Sequence, residues 1–388
     1  AFAIHAASGV EYGEGFAGIP GVILGHNKFI AWGATTNPMD VTDTFIEQLI
    51  ADPSSPSGLA IVHEGVREPV EAIPETFRVN TLGAGVVEVP PGGGIPEATL
   101  VVPRRNNGPL VFANVAASMG VSVQFTGFSA TREVETFLRW NRARNLGEFM
   151  EGLQSFDFGS QNWAYADVHG NLAYFTSGEM PLREDLEAGA VDGLPPFFVR
   201  DGTGGNEWLP VAHPQPNQAV PYEILPPDEM PQVVNPPAGW FVNANNDPAG
   251  TTLDNDPLNQ TRPTGGILYL SPGYDGFRGG RITEMIRAEL GRDGTISFEE
   301  MQAMQADVTL LDAEALAPHL IAAFDGAAGG TTPELAALAG EPRVAEAIER
   351  LRSWDRTTPT GIPEGYDAVD TDGALSTPSD DEVADSVA

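Results

Sequence analysis

The chain has 388 residues, 41% of them hydrophobic, with 54 acidic against 20 basic side chains, a formal net charge of −34 and no cysteine. That length can bury a sizeable core, while the missing cysteines exclude disulfides and thiolate metal sites and the negative field excludes nucleic acid and anionic membranes as partners. No apolar run approaches the roughly 20 residues that span a bilayer, and so acidic a surface suits high salt or an extracellular setting.

Short β-rich runs at Val22–Leu24, Phe29–Trp32 and Thr44–Leu49, separated by Gly, Asn or Pro, predict strands. Residues 51–110 continue as a β-rich excursion, broken at Pro90–Gly94 and Pro103–Pro109. From Glu133 to Phe156 apolar residues recur every three or four positions, which predicts one or two helices. Asn162–Thr176 reads as two strands around a His169–Gly170 turn. Residues 185–236, rich in Pro, Gly and acids, read as a long surface excursion. From Arg281 the chain turns helical through RITEMIRAEL, SFEEMQAMQADV, AEALAPHLIAAF and TPELAALAGEPRVAEAIERLRSW. Within it, Glu289–Met301 imitates half of an EF-hand loop. A glycine at a ligand position, Gly291, rules that out, and Ser297 with Glu300 reads instead as a capping box.

The most informative segment is GWFVNANNDPAG, Gly239–Gly250. Its apolar lead-in reads as a buried strand that delivers Asn243, Asn245 and Asn246 to a strand end. There a fixed carboxamide can donate to a developing oxyanion. The other reading is an Asn/Asp-rich turn capped by its own side chains. Neither a zinc-binding H-E-x-x-H pair, a G-x-S-x-G elbow nor a P-loop occurs.

Together with Gly18–Phe45, Asn162–Pro181, Arg200–Trp208 and Arg281–Arg287, this segment resembles the β-chain of the penicillin acylase family of N-terminal-nucleophile hydrolases, in the family's order from about Ala3 to about Asp367. The resemblance implies an α+β fold with a four-layer αββα core. Residues 1–50 and 158–250 would form the sheet core, 51–125 the β-rich excursion, 281–355 the helical part and 368–381 an acidic loop. It also implies a periplasmic or extracellular enzyme that cleaves itself into two chains, with its own α-chain as partner. Ala1 carries no nucleophilic side chain and Glu382–Ala388 reads as a helix cut short, so the expectation is a fragment without its nucleophile and inactive alone.

Position by position, the resemblance implies an oxyanion hole from the backbone N–H of Thr36 and the side chain of Asn245. Arg281 would stand beside the nucleophile, and Ile23, Leu24 and Ala34 would lie around an apolar acyl pocket. The structural reading of Arg281 is a helix-start residue pairing with Glu284. A calcium ion would be held by Asp40, Asp43 and Asp256 with the carbonyls of Thr42 and Pro181, a set of the hard oxygens Ca²⁺ requires. The parent would hydrolyse a small-molecule acyl amide through an acyl-serine intermediate. The rival reading is a non-catalytic, calcium-binding structural homologue.

Overall fold

In the computed structural model, the described residues are 10–14, 21–81, 83, 85–92, 95–246, 254, 256–273, 276–328, 330 and 332–358. They fall in two units, residues 1–274 and 275–388. The mixed helices and antiparallel sheets make the chain α+β, as expected.

Alternation of side chains builds the first sheet, whose strands lie in the order β1 (Val10–Glu14), β2 (Leu24–Asn27), β3 (Ile30–Thr36), β13 (Gln161–Asp167), β14 (Leu172–Thr176) and β16 (Gln232–Val234). Successive residues of a strand point to opposite faces. Trp32, Trp163, Tyr165 and Phe175 therefore share one face, where α1 (Glu133–Trp140) and α2 (Leu146–Leu153) bring Phe137, Trp140 and Phe149 against them. Trp140 stacks on Phe149 at 4.2 Å and meets Trp163 edge-on at 4.5 Å. Burying aromatic rings of this size supplies much of the core's driving force. The helix pair is also tied down by polar groups: Asn141 exchanges hydrogen bonds with both backbone groups of Val22, at 2.9 and 2.7 Å.

The second sheet runs in the order β6 (Val66–Pro69), β5 (Leu59–His63), β4 (Thr42–Ala51), β12 (Met119–Phe125), β11 (Gly108–Asn114), β10 (Ala98–Val102) and β7 (Glu71–Pro74). After the single helical turn α3 (Glu184–Glu187), β15 (Val199–Asp201) adds to β4 in parallel. β8 (Phe77–Thr81) and β9 (Gly85–Val89) form a separate hairpin, and Val79 and Val86 on it are exposed.

The second unit consists, among its described residues, of α4 (Phe277–Asp293), α5 (Phe298–Gln305), α6 (Leu311–Ala328), α7 (Pro333–Ala339) and α8 (Pro342–Ser353). The expected capping box is present at the start of α5, with Ser297 and Glu300 bonded reciprocally. No described helix is long and apolar enough to cross a membrane. The acidic loop 368–381 and the stretch Glu382–Ala388 lie outside the described residues.

Two expectations are corrected. The GWFV lead-in is not a strand. The edge of the sheet is taken by β16 instead, and Pro236 and Pro237, which have no N–H to donate, end the ladder there. Phe241 anchors the lead-in by packing on the Tyr174 ring at 5.7 Å. Residues 185–236 are largely irregular but not superficial. Asp185, Leu186, Arg200, Asn206, Trp208 and Val220 are all buried, because polar backbone and charged groups find partners inside.

Candidate active site

The end of β3 is where the expected residues meet. β3 pairs with β13 so that Thr36 lies opposite Gln161. The next residue, Asn37, donates its N–H to the Ser160 carbonyl at 3.3 Å. In an antiparallel ladder hydrogen-bonded and non-hydrogen-bonded pairs alternate. Thr36 therefore belongs to a non-bonded pair, and its N–H is turned away from β13. On the other side of β3, among the described residues, β2 pairs with Trp32 and Ala31 and stops short of Thr36.

Asn245 is anchored at this strand end. Its Nδ2 donates to the Thr36 carbonyl at 2.9 Å, and the same oxygen receives Asn162 Nδ2 at 3.3 Å. Asn245 sits at φ +67°, a left-handed conformation that asparagine tolerates better than most side chains. The turn that holds it there is internal: Asn243 Oδ1 accepts the Asn245 N–H at 2.9 Å, and Asn246 Oδ1 accepts the Ala244 N–H at 3.0 Å. Asp247–Gly250 lies outside the described residues. The two sequence readings of this segment thus coexist, since the Asn-rich turn presents one carboxamide to the strand end.

Arg281 lies in the first turns of α4, within the second unit. Asp307 grips its guanidinium with two bonds, at 2.9 and 2.7 Å, and Glu284 lies 3.5 Å away. The Asp307 bonds hold Arg281 above its ordinary pKa and, in return, hold the Asp307 carboxyl below its own. Ile23 is buried in the aromatic core, where its carbonyl accepts Trp32 Nε1 at 2.7 Å, and Leu24 and Ala34 pack partly buried against the same cluster.

Asp40, Asp43 and Pro181, three of the five residues expected to hold calcium, surround a side chain that the sequence pattern does not single out. Arg183 is 1% exposed. Its Nε and Nη2 reach the two carboxylate oxygens of Asp43 at 2.8 and 2.7 Å, and Nη2 also donates to the Asp40 carbonyl at 2.9 Å. The Pro181 carbonyl stands 3.5 Å from Nη1. Trp208 Nε1 gives Asp43 a further donor at 2.7 Å, and the Tyr269 hydroxyl donates to Asp40 at 2.6 Å. Burial raises the Asp40 pKa against the opposing pull of Arg183, and burial followed by the Asp40 charge raises that of Tyr269. Asp256 is engaged elsewhere, with its carboxylate accepting the Leu258 N–H at 3.0 Å. Among the described residues no three Asp, Glu or His side chains converge as a metal site.

This arrangement does not fit a cage of six or more oxygens. Asp43 already has a permanent cation in bidentate contact. Chelation with EDTA is accordingly expected to leave the thermal midpoint of the protein unchanged. A drop that added Ca²⁺ reverses would put an ion back into this region.

A cavity of about 320 Å³ opens beside the end of β14. Its lining includes Met150, Leu153, Phe156, Phe175, Ile224 and Met230, with Ser177 and Glu179 at its polar side. Thr36, Gln161 and Ser177 are each two residues beyond a side chain of the aromatic face (Ala34, Trp163 and Phe175), and they form one row across the strands. Ser177, on the cavity wall, is thus two strand spacings, roughly 9–10 Å, from Thr36. Burial pushes the Glu179 carboxyl up to about 7, although it accepts the N–H groups of Val220 and Ala219 at 2.6 and 2.7 Å. An acid whose folded pKa lies above its unfolded value binds its proton more tightly in the folded state. Its contribution is full below the unfolded value and lost as pH rises through 7. Melting curves between about pH 5 and 8 should therefore show stability falling with pH, and Glu179→Gln should flatten that slope.

Comparison with known proteins gives these features a context. Residues 3–367 match the penicillin amidase family model. The chain belongs to the penicillin amidase family. It is 27% identical to penicillin G acylase of Escherichia coli over 237 residues, which are 59% of this chain and 23% of that protein. It is 25% identical to the acyl-homoserine lactone acylase QuiP of Pseudomonas putida over 353 residues, 88% of this chain and 36% of that one. The chain thus spans roughly a quarter to a third of these curated relatives. A crystal form of the thermostable penicillin G acylase from Alcaligenes faecalis superposes with a TM-score of 0.60 at 22% identity, covering 92% of this chain and 54% of that one. That likeness supports the α+β N-terminal-nucleophile hydrolase fold expected from the sequence.

Sequence reasoning gives no role to Arg183 or to Thr35.

Proposed function

We propose that this chain supplies the oxyanion hole of an amide hydrolase of the penicillin amidase family, which transfers an acyl group from an amine to a hydroxyl nucleophile and then to water. The attacking hydroxyl is not assigned among these 388 residues. The observation that carries the reading is the pairing at the strand end. The Thr36 N–H points to the side of β3 on which the Asn245 carboxamide is fixed, 2.9 Å from the Thr36 carbonyl. A primary amide has two N–H donors, so a carboxamide held at this strand end can also donate to an acyl oxygen as charge develops. Donors set in place beforehand need no reorganisation in the transition state.

The acyl group is apolar in this reading. Ala34 lines the approach on the same face as Thr36, and the cavity lined by Leu153, Phe175 and Met230 receives the distal part of the chain. The amine is left unspecified by the site. The amide substrates named for the relatives belong to those proteins, and the shared chemistry is what transfers.

The test is an assay of the enzyme carrying this chain against N-acyl amides with arylacetyl and with aliphatic acyl groups of increasing length. Rapid quenching with intact-mass detection should show an acyl adduct and a burst of released amine. Hydrolysis that proceeds without any adduct or burst would refute the acyl-enzyme reading, and absence of hydrolysis across the panel would refute the activity.

A further inference from the structure

We infer that Asn243 and Thr35 are positioning residues for the Asn245 donor, a reading that rests on the oxyanion hole proposed above. The Asn243 side chain is the hub of the loop. Its Oδ1 accepts both the Thr35 hydroxyl at 2.5 Å and the Asn245 N–H at 2.9 Å, while its Nδ2 donates to the Asn246 carbonyl at 3.3 Å. One carboxamide thereby fastens the loop to β3 at the residue next to Thr36, and fixes the backbone of the residue whose side chain is the donor.

Asn245 touches β3 through its own side chain, at the Thr36 carbonyl. Phe241 holds the lead-in against Tyr174, and at β3 itself a second contact is needed to set the orientation of the turn. The Thr35–Asn243 bond, made one residue earlier in the strand and two earlier in the loop, supplies the second point of attachment. Two attachments fix an orientation where one does not. The alternation of side chains along β3 puts Thr35 on the face opposite Ala34 and Thr36, so the clamp grips the strand from one face while the aromatic core packs the other. The left-handed backbone at Asn245 adds a reason for the clamp. With φ at +67° this residue is held by the Asn243 acceptor rather than by a ladder.

The experiment uses the full enzyme, with rates referred to active-site concentration from the amine burst. Thr35→Val removes the hydroxyl while keeping the β-branched shape, and Thr35→Ser keeps the hydroxyl. Thr35→Val should lower kcat about tenfold with KM within a factor of about two, and Thr35→Ser should recover most of the rate. Asn243→Ala should lower kcat by about 10–100-fold, against the roughly 10²–10³-fold expected for loss of an oxyanion donor itself. In an Asn245→Ala background, Asn243→Ala should cost little more, because the group it positions is gone. Near-normal rates for Thr35→Val and Asn243→Ala, beside a large loss for Asn245→Ala, would overturn the positioning roles and leave the oxyanion hole standing. A full additional loss from Asn243→Ala in the Asn245→Ala background would also overturn them. A harmless Asn245→Ala would instead remove the oxyanion reading.

Discussion

Asn245→Ala should reduce kcat by about 10²–10³ with KM close to wild type, and lower stability by only about 1–2 kcal/mol for alanine in a left-handed conformation. The size follows from what is removed. The carboxamide is held at the strand end by its bond to the Thr36 carbonyl and by the Asn243 acceptor on its backbone. Alanine keeps the latter, and the fold loses one partly buried side chain and gains the strain of an alanine at positive φ. The transition state loses a donor that was already oriented, and water cannot replace it without reorganising. Stopped-flow acylation on a chromogenic amide measures this step directly. A rate within about threefold of wild type, far short of an oxyanion donor's contribution, would take Asn245 out of the oxyanion hole.

The second large effect concerns the buried ion pair. Arg183 and Asp43 are 1% and 0% exposed, and their two bonds join the start of β4 to the segment after β14. Breaking a buried pair by removing one partner strands the other charge, which typically costs about 3–5 kcal/mol. Arg183→Met and Asp43→Asn are each expected to destabilise by that amount in denaturant titrations. The double variant should cost clearly less than the sum, because neither charge is left alone and the introduced carboxamide can still accept from Trp208 Nε1. Full additivity of the two losses would show that the pair is not the unit of stabilisation.

Much of the fold is legible wherever periodicity carries the information. Trp32, Trp163 and Phe175 alternate along their strands, and the three-to-four spacing through Phe137, Trp140 and Phe149 marks the helix pair. Ser297 and Glu300 announce their cap locally. The part that is not legible depends on partners far apart in sequence. Arg183 is 140 residues from Asp43, and Thr35 is 208 residues from Asn243. A pattern reading treats a charged residue in an acidic, Pro-rich stretch as solvated, because burial of charge is tolerated only when such a partner is present. The same limit bears on the calcium expectation. Carboxylates at the right positions are visible in the sequence, whereas the guanidinium that stands between Asp43 and the Asp40 carbonyl is not. For Thr36 and Asn245, the residue types and order can be read from sequence. Their meeting at one strand end needs the register of β3 against β13.

The irregular stretch from Asp185 to Trp208 has a consequence for anyone reshaping this protein. It delivers Arg200 to Asp185 and Asn206, Glu207 to Arg105, and the Trp208 indole to Asp43, while β15 lies alongside β4 in parallel. Trimming it to a short connector, as its lack of regular structure invites, would take Glu207 away from a fully buried arginine, remove the indole donor from Asp43 and strip a strand from beside β4. Loop grafting belongs elsewhere, on the β8–β9 hairpin, whose valines already face water and whose removal leaves every buried charge described above with its partner.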